Sequence, residues 1–326
     1  MALLGIAGAG AWGTALAVVA ARAGHAARLW ARDPAHVSRL RQDRENRRHL
    51  PGVMLPEAVA AIDDIAALAN VDALLLVVPA QQVRAVCRAL PPASAPLVVC
   101  AKGLEQATGL RLSQVVAEER PGQPLAVLSG PSFALEVGQG LPTAVTVAAG
   151  ELALAAELAE LLASTTFRPY PSDDLLGVEL AGALKNVIAI AAGITMGRKL
   201  GENARASLVT RGLAEMARLA EALGARRETL MGLSGLGDLM LTATSLTSRN
   251  TSFGHELAHG RSPEELLGEG GKLSEGAFTA EAACILARQT GVELPVAEAV
   301  RRVVAGEIGV DHAIQSLLAR PLAPME

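Results

Sequence analysis

The sequence predicts an α/β fold in which a doubly wound sheet is followed by an all-helical domain. Short apolar runs alternate with helical runs through the first half of the chain, as a parallel sheet built from crossover connections requires. After Pro171-Ser172 the strand-like runs stop and the pattern becomes helical almost throughout. We therefore predict one domain at residues 1–172 and a helical domain at residues 173–326.

The predicted strands are nearly continuous apolar runs, which is typical of strands covered by helices on both faces. They lie at 3–7, 27–31, 73–78, 97–101, 125–128, 144–147 and 167–170. Helical runs are predicted at 14–24, from about 34, at 152–163, and in the second domain at 174–196, 203–223, 279–290 and 295–305. Ser172 is predicted to cap the first helix of the second domain.

Composition excludes several classes of protein. The net charge is −4 and the densest basic stretch, residues 39–48, is interrupted by Asp43 and Glu45, which argues against nucleic acid as a partner. The three cysteines stand far apart, which predicts a reducing compartment without disulfides. The Cys and His spacings match no zinc motif, so no metal is predicted.

The apolar N-terminus has a competing interpretation as a signal peptide or membrane helix, because residues 1–21 carry no charged side chain. A signal peptide would begin with a positive region, which is missing. A membrane helix would be disrupted by the glycines at positions 5, 8, 10 and 13. We therefore predict a cytoplasmic protein without membrane insertion.

Gly8, Gly10 and Gly13 form a GxGxxG turn between the first predicted strand and the first helix. The first glycine permits the tight turn, the second lets the backbone approach a pyrophosphate, and the third lets helix and strand pack closely. The helix N-terminus then faces the phosphates. In this context the motif predicts a Rossmann-type dinucleotide site.

Arg32 follows the second predicted strand, whose end normally carries the residue that contacts the adenosine ribose. An arginine can pair with a 2′-phosphate, which favours NADP, whereas Asp33 could still serve NAD. The cofactor is therefore predicted to be NADP or NAD, with NADP favoured.

Lys102 and Lys185 stand in unusual surroundings. Lys102 lies at the carboxyl end of a predicted strand, where doubly wound sheets place their ligands. Lys185 lies in an almost wholly apolar helix, where the loss of hydration can shift its pKa. A group that donates a proton to a carbonyl needs such a shifted pKa. A lysine that extends to the surface is the alternative.

Ser248, Arg249 and Asn250 form a third polar group, which follows Asp238. A guanidinium can hold a phosphate with two hydrogen bonds, and serine and asparagine add neutral donors. The same residues could equally be a helix start with surface charge, and Asp238 could be a simple N-cap. The residues alone therefore predict a dehydrogenase with a cationic site and an anionic substrate.

Seven ordered motifs along the whole chain resemble the bacterial NAD(P)-dependent glycerol-3-phosphate dehydrogenase family. They are GAGAWGTALA at 8–17, AKGLE at 101–105, SGPSFA at 129–134, LKNVIAIAAGI at 184–194, TRGLAEM at 210–216, GLGDL at 235–239 and SRN at 248–250. The resemblance implies reversible reduction of dihydroxyacetone phosphate to sn-glycerol 3-phosphate for glycerophospholipid synthesis.

The resemblance also implies site residues. Lys185 would exchange the proton, and the substrate would contact Lys102, Gly130, Ser132, Lys185, Asp238, Ser248, Arg249 and Asn250. The cofactor would contact Ala11, Trp12, Arg32, His49, Lys102, Ala134, Arg249, Leu273 and Glu275. His49 stands where the family has an aromatic residue, and the family's Val-Val-Glu-Gly is Leu-Ser-Glu-Gly at 273–276.

Two further functions remain open from the sequence. One is a related NADP-dependent reductase of a hydroxy acid or a ketopantoate-like substrate. The other is a dinucleotide sensor without turnover, since a fold alone does not determine function. A small phosphorylated substrate is the predicted partner, and the helical domain could form a homodimer.

Overall fold

The computed structural model describes residues 1–268 and 274–320. The chain forms two compact units: Met1–Ala101 with Leu112–Leu175, and Lys102–Arg111 with Leu176–Glu326. We call them the sheet unit and the helical unit. The predicted domain boundary at residue 172 stays a prediction, and the short segment Lys102–Arg111 belongs to the helical unit although it follows a strand of the sheet.

The sheet unit contains an eight-stranded sheet with the order β10-β9-β8-β7-β6-β1-β2-β5. The strands of the unit are β1 (Leu3–Ala7), β2 (Ala26–Trp30), β3 (Glu45–Asn46), β4 (Leu50–Met54), β5 (Val59–Ile62), β6 (Ala73–Leu76), β7 (Leu97–Val99), β8 (Leu125–Ser129), β9 (Thr143–Ala149) and β10 (Phe167–Ser172). The chain runs from β1 outwards to β5 and then continues at β6, on the other side of β1. The strand order therefore reverses beside β1, where such sheets bind ligands.

The strands of this sheet are apolar and are covered by other elements of the unit; β6, for example, is buried along its whole length. The helices of the unit are α1 (Ala11–Arg22), α2 (Pro34–Asp43), α3 (Val83–Ala89), α4 (Leu112–Glu119), α5 (Ala134–Gln139) and α6 (Leu152–Leu162). The sheet is parallel except where β9 pairs antiparallel with β8. The α/β fold class predicted from the sequence is confirmed, including the helical second part.

Three strands were not predicted. β3 and β4 pair antiparallel as a separate hairpin, and β5 extends the main sheet beside β2. The hairpin has little strand-like signal because it contains Pro51 and Gly52 and exposes much of its length. Its place is decided by contacts with the rest of the unit.

The helical unit is built around α7 (Leu175–Gly197), whose residues from Gly177 to Thr195 are buried. Around it lie α8 (Glu202–Ala222), α9 (Arg227–Leu230), α10 (Asp238–Ala243), α11 (Arg249–Ala258), α12 (Pro263–Leu267), α13 (Glu275–Thr290), α14 (Pro295–Val304) and α15 (Val310–Leu318). By length and hydropathy α7 could cross a membrane, but 89% of its apolar window is buried inside the protein. It is the core helix of this unit.

The predicted N-cap at Ser172 is wrong in detail. Ser172 is the last residue of β10, and α7 begins three residues later, at Leu175. The Ser172 hydroxyl accepts a hydrogen bond from the Asp174 backbone N–H at 3.1 Å. The strand continues further than its apolar pattern because β10 pairs with β9 up to Ser172.

Candidate active site and cofactor site

The glycine turn lies between β1 and α1 and has the geometry of a phosphate-binding loop. Gly8 has a φ of +123°, a backbone angle that residues with a side chain rarely adopt. A Cβ on Gly13 would lie 1.8 Å from the Gly8 carbonyl oxygen. Gly10 faces open space and provides the N-cap of α1 without a side-chain hydrogen bond. The turn therefore presents the N-terminus of α1 to a ligand, as a pyrophosphate requires.

Trp12 gives an independent test of whether these residues fit a polar ligand. Its indole Nε1 is buried and has no hydrogen-bond partner among the described residues. A buried donor without a partner costs free energy unless a ligand or water satisfies it. The orphaned donor and the open glycine turn both fit a dinucleotide at this place.

Arg32 and Asp33 follow β2 and have different surroundings. The Asp33 carboxylate caps α2 by accepting a hydrogen bond from the Ala35 backbone N–H at 3.0 Å. Arg32 is exposed, and no described residue is its hydrogen-bond or ion-pair partner. The guanidinium is therefore available, while the carboxylate already has a structural role.

His49 and Ala134 also lie in the sheet unit. His49 is in the β3–β4 hairpin, with its ring edge-on to His36 at a centroid distance of 5.4 Å. Burial, together with His36, lowers the pKa of His49. Ala134 is the first residue of α5, and the Arg22 side chain holds that helix by donating to the carbonyl oxygens of Val137 and Gly138.

Gly130 and Ser132 directly follow β8 in the sheet unit. Gly130 has a φ of +151°, and a Cβ there would lie 2.8 Å from the Cα of Val145. The Ser132 hydroxyl donates to the Gly130 carbonyl oxygen at 3.0 Å. Both residues therefore belong to one tight turn at the carboxyl end of a strand.

The helical unit brings Lys102, Lys185 and Asp238 into one cluster. The Asp238 carboxylate lies between the two ammonium groups, at 2.6 Å from Lys102 Nζ and 2.8 Å from Lys185 Nζ. Lys185 also donates to the Thr242 hydroxyl at 2.7 Å. Lys185, Asp238 and Thr242 are all buried, so their charges are poorly screened by solvent.

The local sequence explains this geometry. Asp238 and Thr242 stand four residues apart on α10 and therefore share one face of the helix, towards Lys185 on α7. Burial lowers the pKa of Lys185 to about 8, although Asp238 opposes the shift. Burial also raises the pKa of Asp238, but Lys102 and Lys185 outweigh it and hold that pKa below its ordinary value. Asp238 is thus the ionised partner of both lysines.

Ser248, Arg249 and Asn250 form the start of α11. The Ser248 side chain caps this helix by accepting from the Thr251 backbone N–H at 3.3 Å. Arg249 is exposed and has no partner among the described residues. Its guanidinium therefore lies at the N-terminus of a helix, where an anion is also stabilised by the helix dipole.

Asn250 belongs to a directional chain of hydrogen bonds. The Gly276 backbone N–H donates to Asn250 Oδ1 at 3.0 Å, Asn250 Nδ2 donates to Asn186 Oδ1 at 2.8 Å, and Asn186 Nδ2 donates to the Lys102 carbonyl oxygen at 3.1 Å. The buried Ser274 hydroxyl also donates to Asn250 Oδ1, at 2.8 Å. The chain connects the starts of α11 and α13 with the backbone of Lys102.

Several of these polar residues were not predicted as site residues, namely Thr242, Asn186 and Ser274. Thr242 could have been found from its i+4 spacing to Asp238, and Asn186 from its place beside Lys185. Glu275, predicted to contact the cofactor, is the buried first residue of α13. Leu273 lies outside the described residues. Within residues 1–268 and 274–320, no cluster of three His, Cys, Asp or Glu residues could hold a metal ion.

Comparison with known families accounts for both units. The model of the NAD-dependent glycerol-3-phosphate dehydrogenase N-terminus matches residues 4–155, and the model of the C-terminus of the same family matches residues 174–315. Together the matches include the glycine turn, both lysines and Asp238.

Relatives of nearly the same length agree with this match. The chain is 53% identical to a glycerol-3-phosphate dehydrogenase [NAD(P)+] of Parvibaculum lavamentivorans, over 98% of this chain and 96% of the relative. It is 54% identical to that of Methylobacterium radiotolerans, over 98% and 97%. A crystal structure of the Coxiella burnetii enzyme has a TM-score of 0.92 at 41% identity, covering 98% of this chain and 99% of the other. The chain therefore belongs to the NAD-dependent glycerol-3-phosphate dehydrogenase family.

Proposed function

We propose that this chain catalyses the reversible reduction of dihydroxyacetone phosphate to sn-glycerol 3-phosphate with NAD(P)H. The chain is an NAD(P)-dependent oxidoreductase of this family, and the cluster of Lys102 with the buried Lys185 and Asp238 is the observation that carries the proposal. When bound, the reduced nicotinamide supplies the hydride. The residues of the chain bind and orient the substrate and move the proton.

Lys185 is proposed to exchange the proton with the oxygen on the substrate carbon that is reduced. Two N–H groups of its ammonium are held by Asp238 and Thr242, which leaves the third for the substrate oxygen. A pKa of about 8 allows the same group to donate a proton in reduction and accept one in oxidation near neutral pH. Lys102 adds positive charge, which stabilises a developing alkoxide.

Arg249 is proposed to bind the substrate phosphate, with Asn250 beside it. The free guanidinium at the start of α11 can donate two parallel hydrogen bonds to phosphate oxygens. Asn250 is oriented by its bonds to Asn186 and Gly276, so its remaining amide hydrogen can be held in place for the phosphate. Gly130 and Ser132, in the sheet unit, stay predicted substrate contacts.

NADP is proposed as the preferred cofactor. The exposed, unpaired Arg32 offers a cation to a 2′-phosphate, whereas Asp33, which would accept from a ribose hydroxyl, caps α2 instead. Gly8, Gly10, Ala11, Trp12 and Gly13 would hold the pyrophosphate side of the cofactor. Lys102, Arg249 and Glu275 also stay predicted cofactor contacts, as do His49 and Ala134.

Lys185→Met tests the catalytic proposal. We expect kcat for reduction of dihydroxyacetone phosphate to fall by about 10²- to 10⁴-fold, the range for loss of a positioned proton donor. Lys199→Met, an exposed lysine just after the same helix, is the matched control and should keep the wild-type rate. Equal rates for the two variants, or a wild type that oxidises neither NADPH nor NADH with this substrate, would disprove the proposal.

Family membership favours this activity over the two alternatives from the sequence. A ketopantoate reductase from Ralstonia eutropha has a TM-score of 0.62 at 21% identity, a likeness that extends to the fold alone. We further propose a cytoplasmic location, which the three widely spaced cysteines support; the burial of α7 in the core argues against a membrane span at that helix. A homodimer stays a prediction, which light scattering on the purified protein would test.

A further inference from the structure

The side chain of Asn46 connects the β3–β4 hairpin to the glycine turn. It is 1% exposed, and its Nδ2 donates to the Ala9 carbonyl oxygen at 3.0 Å and to the Thr14 hydroxyl at 2.7 Å. Its Oδ1 accepts from the His49 backbone N–H at 3.2 Å. All three bonds of this amide are therefore made with residues at or beside proposed cofactor contacts.

The orientation of the amide follows from its partners. The Ala9 carbonyl can only accept, so it must face the amide nitrogen, and the His49 backbone N–H, which is shared with the Asn46 backbone carbonyl oxygen at 3.1 Å, can only donate and faces the amide oxygen. Both requirements are met by the same orientation. A side chain with an oxygen in place of the nitrogen would turn the contact with the Ala9 carbonyl into a repulsive one, and the Thr14 hydroxyl could donate to that oxygen only by giving up its bond to the Gly10 carbonyl.

The Thr14 hydroxyl extends this connection into the turn. It accepts from Asn46 and donates to the Gly10 carbonyl oxygen at 2.8 Å, and it is fully buried. The carbonyl groups of Ala9 and Gly10 are thus both engaged on the side of Asn46 and Thr14. A carbonyl dipole that pointed at a diphosphate would repel it, whereas the N–H groups of the same turn attract it.

We propose that Asn46 is a positioning residue for the dinucleotide, acting through the Ala9–Gly10 backbone and through His49. The inference rests on the proposed cofactor site and goes beyond it by assigning a function to a residue outside the glycine motif. Asn46 holds the turn in the geometry that the pyrophosphate needs, and it holds the hairpin that carries His49 at a set distance from that turn.

The experiment compares Asn46→Asp and Asn46→Ala with the wild-type chain. The dissociation constant for NADP⁺ is measured by the quenching of tryptophan fluorescence, and kcat and KM are measured for both substrates. We expect the dissociation constant and the KM for NADPH to rise about tenfold in Asn46→Ala and further in Asn46→Asp. The kcat at saturating cofactor and the KM for dihydroxyacetone phosphate should stay within about twofold of wild type.

Gln123→Ala is the matched control, because that amide also donates to a backbone carbonyl, of Ala95, in the sheet unit before β8. It should bind NADP⁺ as the wild type does. Thr14→Val, which removes the hydroxyl at nearly constant volume, should raise the dissociation constant, and Thr14→Ser should restore it. These two variants decide the question if the Asn46 variants do not fold.

Unchanged NADP⁺ binding in folded Asn46 and Thr14 variants would overturn the inference. A fall in kcat with equal rises in the KM for both substrates, together with a lower melting temperature, would also overturn it, since these changes indicate a merely structural role. If the wild-type chain itself bound neither dinucleotide, the proposed cofactor site would fail, and the inference with it. The two failures are therefore distinguishable.

Discussion

The reacting group proposed in this enzyme is a lysine whose properties come from its neighbours. Lys185 is buried on α7, and the Asp238 carboxylate and the Thr242 hydroxyl hold its ammonium group. Burial favours the neutral amine, while Asp238 favours the cation, and the balance leaves the pKa at about 8. A lysine at its ordinary pKa would be a weaker proton donor near neutral pH.

The pH dependence of the two directions should therefore be opposite. Reduction needs the protonated Lys185, so its kcat/KM should fall as pH rises through about 8, whereas oxidation needs the neutral amine and should accelerate. Initial rates in both directions across this range check the prediction. The midpoint pH of both profiles should be lower in Thr242→Val, because the hydroxyl that is lost accepts a hydrogen bond from the charged ammonium group of Lys185. Parallel pH profiles in the two directions would contradict it.

Arg32 should determine the cofactor preference at the level of one side chain. Arg32→Ala should lower kcat/KM for NADPH about tenfold or more and leave that for NADH nearly unchanged, because only NADPH carries the 2′-phosphate. Arg39→Ala, an exposed arginine on α2 that already faces Asp33 at 3.8 Å, is the control. A wild-type preference for NADH would refute the NADP proposal directly.

At the scale of elements, the helical unit depends on close contacts between helices. A Cβ on Gly254 of α11 would lie 2.0 Å from the Ile190 carbonyl oxygen, and a Cβ on Gly193 of α7 would lie 2.0 Å from that of Thr251. The two helices therefore approach with their backbones in contact. This approach places Asn250 of α11 within hydrogen-bond distance of Asn186 on α7.

Gly254→Ala should consequently affect stability and substrate binding together. Because backbone atoms fill the space, α11 must move away from α7, at a cost of about 1–3 kcal/mol or more in the free energy of unfolding. We also expect a higher KM for dihydroxyacetone phosphate. Gly309→Ala, at a glycine with no atom near its Cβ position, is the control. Denaturant unfolding and steady-state kinetics measure both effects, and equal stability of the two variants would contradict the prediction.

Glu215 connects α8 to the start of α14. Its buried carboxylate accepts from the Val296 backbone N–H at 2.8 Å and from that of Ala297 at 3.3 Å. Burial raises its pKa to about 7 from its ordinary value of 4.5, although these hydrogen bonds oppose the shift. The folded chain therefore prefers the protonated acid more strongly than the unfolded chain does.

The sign of the resulting pH effect follows from this raised pKa. The stabilising contribution of Glu215 is fully present below pH 4.5 and is lost as pH rises through about 7. Compared with Glu215→Gln, which does not titrate, the wild type should lose up to about 3 kcal/mol of unfolding free energy over this range. Urea unfolding of both proteins between these pH values provides the measurement. A constant difference would show that the carboxylate pKa is not raised.

At the scale of the whole molecule, each unit has a hydrophobic core of its own. The core of the sheet unit includes Leu4, Ile6 and Leu75, and that of the helical unit includes Leu184, Ile188 and Leu213. Both tryptophans of the sequence, Trp12 and Trp30, lie in the sheet unit. Tryptophan fluorescence therefore reports on that unit, while far-ultraviolet circular dichroism reports on the helices of both.

NADP⁺ should therefore stabilise the sheet unit more than the helical unit, because the glycine turn and most other predicted cofactor contacts lie in the sheet unit. At about one hundred times its dissociation constant it should add about 2.7 kcal/mol to the free energy of unfolding of the sheet unit. The thermal transition followed by tryptophan fluorescence should move to higher temperature, and the remaining loss of helical signal should move less. Coincident transitions with equal shifts would mean that the two units unfold as one.

Much of the fold was predictable because its signals are local. The first strand, 3–7, was predicted with the observed limits, and most other predicted strands and helices differ from the observed ones by one to three residues. The β3–β4 hairpin was not predictable from the sequence, because its buried residue Asn46 stands among charged neighbours, as surface residues do. Its burial depends on the turn at Ala9 and on Thr14, far away in the chain.

The amino-acid sequence alone was enough to predict the alternation of strands and helices and the glycine turn between the first strand and the first helix, and its ordered motifs carried the resemblance to the family. The first two are properties of neighbouring residues, which periodicity and spacing reveal. The pairing of Lys102 and Lys185 with one carboxylate, the availability of Arg32 and the contacts on which the proposed role of Asn46 rests emerged only in the folded chain. They depend on which distant segments pack together and on which groups lose contact with water. A local sequence pattern predicts neither of these.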